Sequence, residues 1–151
     1  MLESLLRRGS AIAASLAFLP PLLTRLVIGQ AFHLTGHGKL TNFDRTVDFF
    51  ASLGIPFPHA NAAFISALEF VGGLCLMLGL GTRIFAGLLS CSMIVALMTA
   101  DKADFVSKFW SAITDVTSFV YLLFLIWLVV YGPGPVSLDA LIGKWYRARR
   151  K

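Results

Sequence analysis

The chain has 151 residues, of which 57% are hydrophobic and 14% charged, with a mean hydropathy of +0.78. Soluble domains carry about a quarter charged residues, so this composition excludes a disordered chain, a disulfide scaffold built on Cys75 and Cys91, and a water-soluble globule; the length admits one domain. Thirteen Lys and Arg against eight Asp and Glu give a net charge of +5. Five of those basic residues lie in the tail after Gly143, beside long apolar runs, so membrane topology rather than nucleic acid accounts for the charge.

In chain order, Met1 to Leu19 reads as an interfacial or partly inserted helix that is retained: Arg7 and Arg8 precede an apolar run, but Pro20-Pro21 follows it instead of a small-x-small cleavage site. The prolines would start a new helix well and continue an old one badly. A first span is expected from Pro21 to Thr35, extending to Gly38, a second from Ala60 to Leu80, a third from Arg83 to Ala100 and a fourth from Ser111 to Tyr131. Each reaches or approaches the length that covers about 30 Å of hydrocarbon at about 1.5 Å per residue. Gly79-Leu80-Gly81 and Gly132-Pro133-Gly134-Pro135 are breaks. Between the first two spans, Phe43, Val47, Phe49, Phe50 and Leu53 alternate with Asp44, Arg45 and Asp48 at helical spacing, which predicts a short amphipathic helix on the outer membrane surface. The expected fold is all-α: an integral membrane, left-handed antiparallel four-helix bundle with this interfacial helix between spans one and two. The division is an N-terminal helix (1–20), the bundle (21–140) and a basic cytoplasmic tail (141–151).

Basic residues set the orientation. With both termini in the cytoplasm, Arg7, Arg8, Arg83 and the five tail residues lie inside and Lys39, Arg45, Lys102 and Lys108 outside, as the positive-inside rule requires. Phe105, Phe109 and Trp110 then mark the outer boundary, and Trp145 and Tyr146 the inner one.

Ionisable groups inside spans are costly and mark candidate sites. Arg25 and His33 fall in span one, Glu69 in span two and Asp115 in span four, with His37 and His59 at span ends. Glu69 lies nine residues from Ala60, roughly 13 Å deep at helical rise, and Asp115 roughly 6 Å deep. Spans one, two and four are therefore expected to surround an outward-facing polar pocket floored by Glu69, with His33, His37, His59, Asp115 and Lys39 near it and Arg25 at the cytoplasmic end. Glu69 with His33 is the candidate proton-handling pair; the competing reading makes Glu69 part of a network that holds helices together. His33 and His37 share a helix face at i, i+4, a metal-ligand spacing, and His59, Glu69 or Asp115 could supply further ligands, but nothing in the spacing requires it and no metal is expected. Cys75 and Cys91 are expected to be buried free thiols on different spans.

Read together, these motifs resemble the DoxX family of small four-span membrane proteins, nearly throughout Leu22 to Ala140. The resemblance is carried by Arg25-Leu26-x-x-Gly29, Phe32, Gly36-x-Gly38-Lys39-Leu40, Phe50-x-x-Leu53-Gly54-Ile55-Pro56, Ala67-x-Glu69-x-x-Gly72-Gly73-x-x-Leu76-x-x-Gly79-Leu80-x-Thr82-Arg83 and Gly132-Pro133-Gly134-x-x-Ser137-Leu138-Asp139. Family members often carry His four residues before the Lys; here that position is Thr35. The resemblance implies a bacterial inner-membrane protein acting as a quinone-linked or redox-stress-associated subunit, with a quinone as candidate ligand and redox enzyme subunits or a second copy of itself as partners; no sequence feature supplies a cofactor site of its own, so enzyme status stays open and catalysis by this chain alone is not expected. The alternative is a non-catalytic membrane scaffold or chaperone that anchors or assembles partner proteins.

Overall fold

The computed structural model describes residues 14–150. Most of the N-terminal segment expected as a separate helix thus lies outside the described residues. Pro20 and Pro21 occupy the first positions of helix α1, Leu19–Thr41, where a missing amide costs nothing and the fixed φ favours the helix. The helix α2, Phe43–Ser52, follows almost at once, as the alternation of apolar and charged residues predicts. α3 spans Pro58–Leu78 and α4 Thr82–Met98. A short α5, Lys102–Lys108, and a 3-10 turn, Ile113–Asp115, lead to α6, Thr117–Tyr131, and α7, Leu138–Ala148. No strand occurs among the described residues.

Two helical stretches, Ala14–Thr41 and Pro58–Leu78, are long and apolar enough to cross a membrane, and α4 with α5 forms a third only if their 79° bend belongs to one span. The fourth expected span is shorter than the sequence suggests. Its helix starts at Thr117 rather than Ser111, because residues 111–116 form turns and the 3-10 segment that carries Asp115. Fifteen residues of α6 cover about 22 Å at helical rise. At the other end α7 crosses the expected boundary between bundle and tail at residue 140, since its first turn is bound to the body of the protein.

α1 packs chiefly on α3, and α4 on α6. The α1–α3 seam is backbone on backbone: a Cβ on Gly36 would stand 2.3 Å from the Phe70 amide nitrogen, and one on Gly73 2.4 Å from that of His33. Small residues permit this approach where the surrounding medium supplies no hydrophobic drive. Ile28 and Phe32 of α1, Leu76 of α3, Ala86, Leu89 and Met93 of α4, and Leu125 and Leu128 of α6 form one buried cluster.

The end of the molecule that holds the α3–α4 turn is tied by α7. The Asp139 carboxylate accepts from the Gly81 and Thr82 amides at 2.7 and 3.0 Å, while its own amide donates to the Gly79 carbonyl. It thereby caps the N-terminus of α4 from outside that helix. Arg25, 1% exposed, donates to the Pro21 and Val136 carbonyls and lies against Gly79, where a Cβ would fall 1.7 Å from its Nη1. Gly79 also takes φ of +69°, so this position needs glycine for both conformation and space.

Candidate functional site

A cavity of ≈350 Å³ opens at the opposite end. Its roof is Phe49, Phe50, Leu53 and Ile55, from α2 and the turn after it; its walls come from the first half of α3 and the second half of α4. α2 is pinned in place: the Thr46 hydroxyl donates to the Lys39 carbonyl at 3.2 Å, and Asn61 donates to the Pro56 carbonyl at 2.7 Å. The lining is predominantly apolar, the usual character of small-molecule pockets, with Lys39, Glu69, Asn61, Ser92 and Thr99 as its polar contributions.

Lys39 Nζ donates to Glu69 Oε1 at 2.6 Å. The packing of Gly36 on the backbone of Glu69 and Phe70 sets the α1–α3 register, and Lys39, one turn beyond Gly36, is brought level with the carboxylate. The Glu69 side chain is 2% exposed and that of Lys39 32%, so the pair joins a buried anion to a partly accessible cation. Glu69 Oε2 is buried without a hydrogen-bond partner among the described residues, as is the hydroxyl of Ser66 one turn away. A buried acceptor without a donor costs about 1–3 kcal/mol, and a ligand that supplies a donor recovers it. Chemically, the site offers an ammonium to a ligand carbonyl and a carboxylate oxygen to a ligand hydroxyl, in apolar surroundings.

Of the residues expected in the pocket, the structure brings Glu69 and Lys39 together and sets the others apart. His33 sits on the α1–α3 seam, its Nδ1 within hydrogen-bond distance of the Phe70 carbonyl at 3.0 Å and its ring stacked on Phe70; it does not line the cavity. His37 is exposed beside Phe70, and His59 is exposed with its ring edge-on to Phe43. Asp115 is exposed on the 3-10 turn, since the polypeptide there is not yet helical. Arg25 is held at the far end by carbonyls. The expected wall of spans one, two and four is corrected accordingly: α6 contributes nothing, and α4 supplies the face that the sequence did not mark. Its signal was hidden because Leu88, Met93, Val95 and Ala96 look like ordinary lipid-facing or core residues. Cys91, expected to be buried, is exposed and lines the cavity, while Cys75 is half-buried; both are free. Among the described residues, no three His, Cys, Asp or Glu side chains gather as a metal site would require.

The family model described as DoxX matches residues 21–102. The chain is 33% identical over 126 residues to the Bacillus subtilis (strain 168) protein named "Putative oxidoreductase CatD", covering 82% of this chain and 87% of that one. It is 29% identical over 127 residues to "Inner membrane protein YphA" of Escherichia coli (strain K12), covering 78% of this chain and 86% of that one. No solved structure matches at a significant level.

Proposed function

The chain belongs to the DoxX family of membrane proteins, and from that premise we propose that it binds a quinone-like lipophile in the cavity under α2 and serves a redox enzyme as a membrane subunit. The name of CatD supports an association with oxidoreduction, and that of YphA an inner-membrane location. In this reading α1, α3, α4 and α6 cross the bilayer as an antiparallel bundle, α2 lies on the outer surface, and both termini are cytoplasmic.

The observation that carries the proposal is the Lys39–Glu69 pair on the wall of an apolar cavity, with Glu69 Oε2 buried and unpartnered among the described residues. A quinone carbonyl accepts from the Lys39 ammonium, and a quinol hydroxyl donates to Glu69 Oε2. Oxidation of the bound quinol to quinone releases two protons and two electrons: Glu69 takes the proton of the hydroxyl that it faces, the proton of the other hydroxyl leaves to water, and both electrons pass to a redox-cofactor-bearing partner subunit. His33 has no part in this step, because its ring faces Phe70.

A second reading is favoured by the same pair. Lys39–Glu69 joins α1 to α3, and Arg25 and Asp139 tie the other end, which is what a scaffold or assembly factor needs to hold its shape. Glu69→Gln separates the two. It keeps shape and hydrogen bonding but removes the titratable proton, so the redox reading expects a folded protein that has lost quinol-linked proton exchange, while the scaffold reading expects normal function. Purified Glu69→Gln and Glu69→Leu variants, compared by thermal stability, quinone binding in calorimetry and activity of the assembled complex, decide the matter. Full complex activity in Glu69→Gln would sink the proton-handling role.

A further inference from the structure

Besides its roof, the cavity is bounded by α3 and α4. Near their common turn α3 and α4 touch closely: a Cβ on Gly72 would meet Phe85 at 3.3 Å and Leu89 at 3.4 Å. Toward their other ends the two helices border the cavity, which lies between them. Apart from Phe49 on the roof and Ala100 beyond α4, four lining residues also stand on the outer surface, on facing sides of α3 and α4. Phe64 of α3 is 58% exposed, Leu88 and Val95 of α4 are 42% and 50% exposed, and Cys91 between them is exposed. Leu88, Cys91 and Val95 follow one another at i, i+3 and i+7 and so share one face of α4. Exposed lining residues gathered on facing sides of two helices mark an opening between those helices.

None of these four side chains is charged. On the side of α2 the cavity is roofed by Phe49, itself 51% exposed, and by the less accessible Phe50, Leu53 and Ile55, on a helix held by Thr46 and a turn held by Asn61. The charged end of the cavity, Lys39 and Glu69, comes from α1 and α3, away from the α4 face that forms the mouth.

We propose that the gap between Phe64 and the Leu88–Cys91–Val95 face is a lateral portal to the bilayer hydrocarbon, and that the occupant is a tailed lipophile. Its oxygen-bearing head meets Lys39 and Glu69, and its hydrocarbon tail leaves between α3 and α4. This deepens the quinone reading, on which the identity of the head rests; the route and the tail rest on the portal alone. A tail that stays in the hydrocarbon need not be desolvated again on binding, so a tailed ligand is favoured over its truncated analogue by the area of chain kept from water.

The test uses the full chain in liposomes, with Cys75→Ser leaving Cys91 as the one thiol. Its alkylation by a long-chain maleimide dissolved in the lipid is timed with and without a fully substituted benzoquinone that bears a decyl tail. A Cys75→Ser/Cys91→Ser/Ile84→Cys variant places the thiol on an exposed α4 position outside the cavity lining and serves as control. The expected result is at least fivefold slower labelling at Cys91 with the tailed quinone, no change in the Ile84→Cys control, and little protection by the same head without its tail. Val95→Trp, which fills the mouth, should abolish the protection while leaving thermal stability intact. Quinone binding in calorimetry without protection of Cys91 would overturn the portal and leave the proposed function standing. Protection by a long-chain alcohol but no binding of any quinone would support the portal and overturn the quinone. Equal protection by the tail-less head would overturn the tailed occupant.

Discussion

Lys39 and Glu69 meet across thirty positions of sequence, at 2.6 Å, from the last turn and a half of α1 to the middle of α3. The pair is asymmetric, with a buried carboxylate and a cation about a third exposed. Removing the cation alone strands the anion. Breaking a buried pair from one side costs about 3–5 kcal/mol, and the partial exposure of Lys39 places Lys39→Met toward the lower end. Glu69→Gln, which keeps a polar partner for Lys39, should cost less than Lys39→Met. The double substitution Lys39→Met/Glu69→Leu should recover most of the loss, since neither charge remains buried. Thermal unfolding of the three variants in one detergent checks the order; a Lys39→Met variant as stable as the parent would show that the pair does not hold α1 to α3.

The glycines of the α1–α3 seam separate close contact from open space. A methyl group at Gly36 meets the Phe70 backbone at 2.3 Å and at Gly73 the His33 backbone at 2.4 Å, and backbone cannot rotate away. Gly36→Ala and Gly73→Ala should each destabilise by about 1–3 kcal/mol or more, the range for overpacking. Gly87, in α4, has nothing within 4 Å of the same construction, so Gly87→Ala should be neutral or stabilise by up to about 1 kcal/mol through helix propensity. Circular dichroism on heating ranks the three.

How far this architecture was legible in the chain depends on what each residue reports. The helices α1, α3 and α4 follow from apolar length and from proline and glycine punctuation, and α2 from its alternation of Phe and Asp or Arg. Glu69 stands out because a carboxylate so deep in an apolar run has few other reasons to be there. Lys39 was placed near the pocket, but its bond to Glu69 depends on the α1–α3 register, which Gly36 fixes through a backbone contact that no spacing reveals. Asp115 misleads because residues 111–116 are apolar enough to pass for a span, whereas a 3-10 turn starts there instead. The α4 wall was invisible for the opposite reason: apolar residues that line a cavity and apolar residues that face lipid are chemically alike.

The cap that Asp139 provides for α4 is supplied from 57 residues away, with the Gly81 and Thr82 amides as donors. Asp139→Ala leaves those amides without their carboxylate and frees the start of α7. Loss of a helix cap costs about 0.5–2 kcal/mol. The expected signature is a modest fall in thermal stability together with faster hydrogen exchange over 138–148, while the cavity at the other end keeps its ligand affinity. A ligand affinity that falls in step with stability would mean that the two ends are coupled.

The orientation of the protein rests on charge. Among the described residues, Arg83, Lys144, Arg147, Arg149 and Arg150 lie on the side that holds the tail and Lys39, Arg45, Lys102 and Lys108 on the side of α2 and α5, with Arg25 within α1; the sequence count expected Arg7, Arg8 and Lys151 with the tail as well. Applied to the whole sequence, the positive-inside rule predicts a cytoplasmic tail. The structure gives each side an accessible position: Arg150 follows α7, and Ala103 is exposed in the first turn of α5. In a Cys75→Ser/Cys91→Ser background, Arg150→Cys in intact cells should resist a membrane-impermeant thiol reagent and react only after permeabilisation, while Ala103→Cys should react from outside. On the four-span reading the two positions lie on opposite sides of the membrane, so they should answer oppositely whichever way the protein faces. The reverse pattern would invert the orientation and move the Lys39–Glu69 cavity to the cytoplasmic half of the bilayer. Equal labelling of both would mean that the chain between them does not cross the membrane an odd number of times.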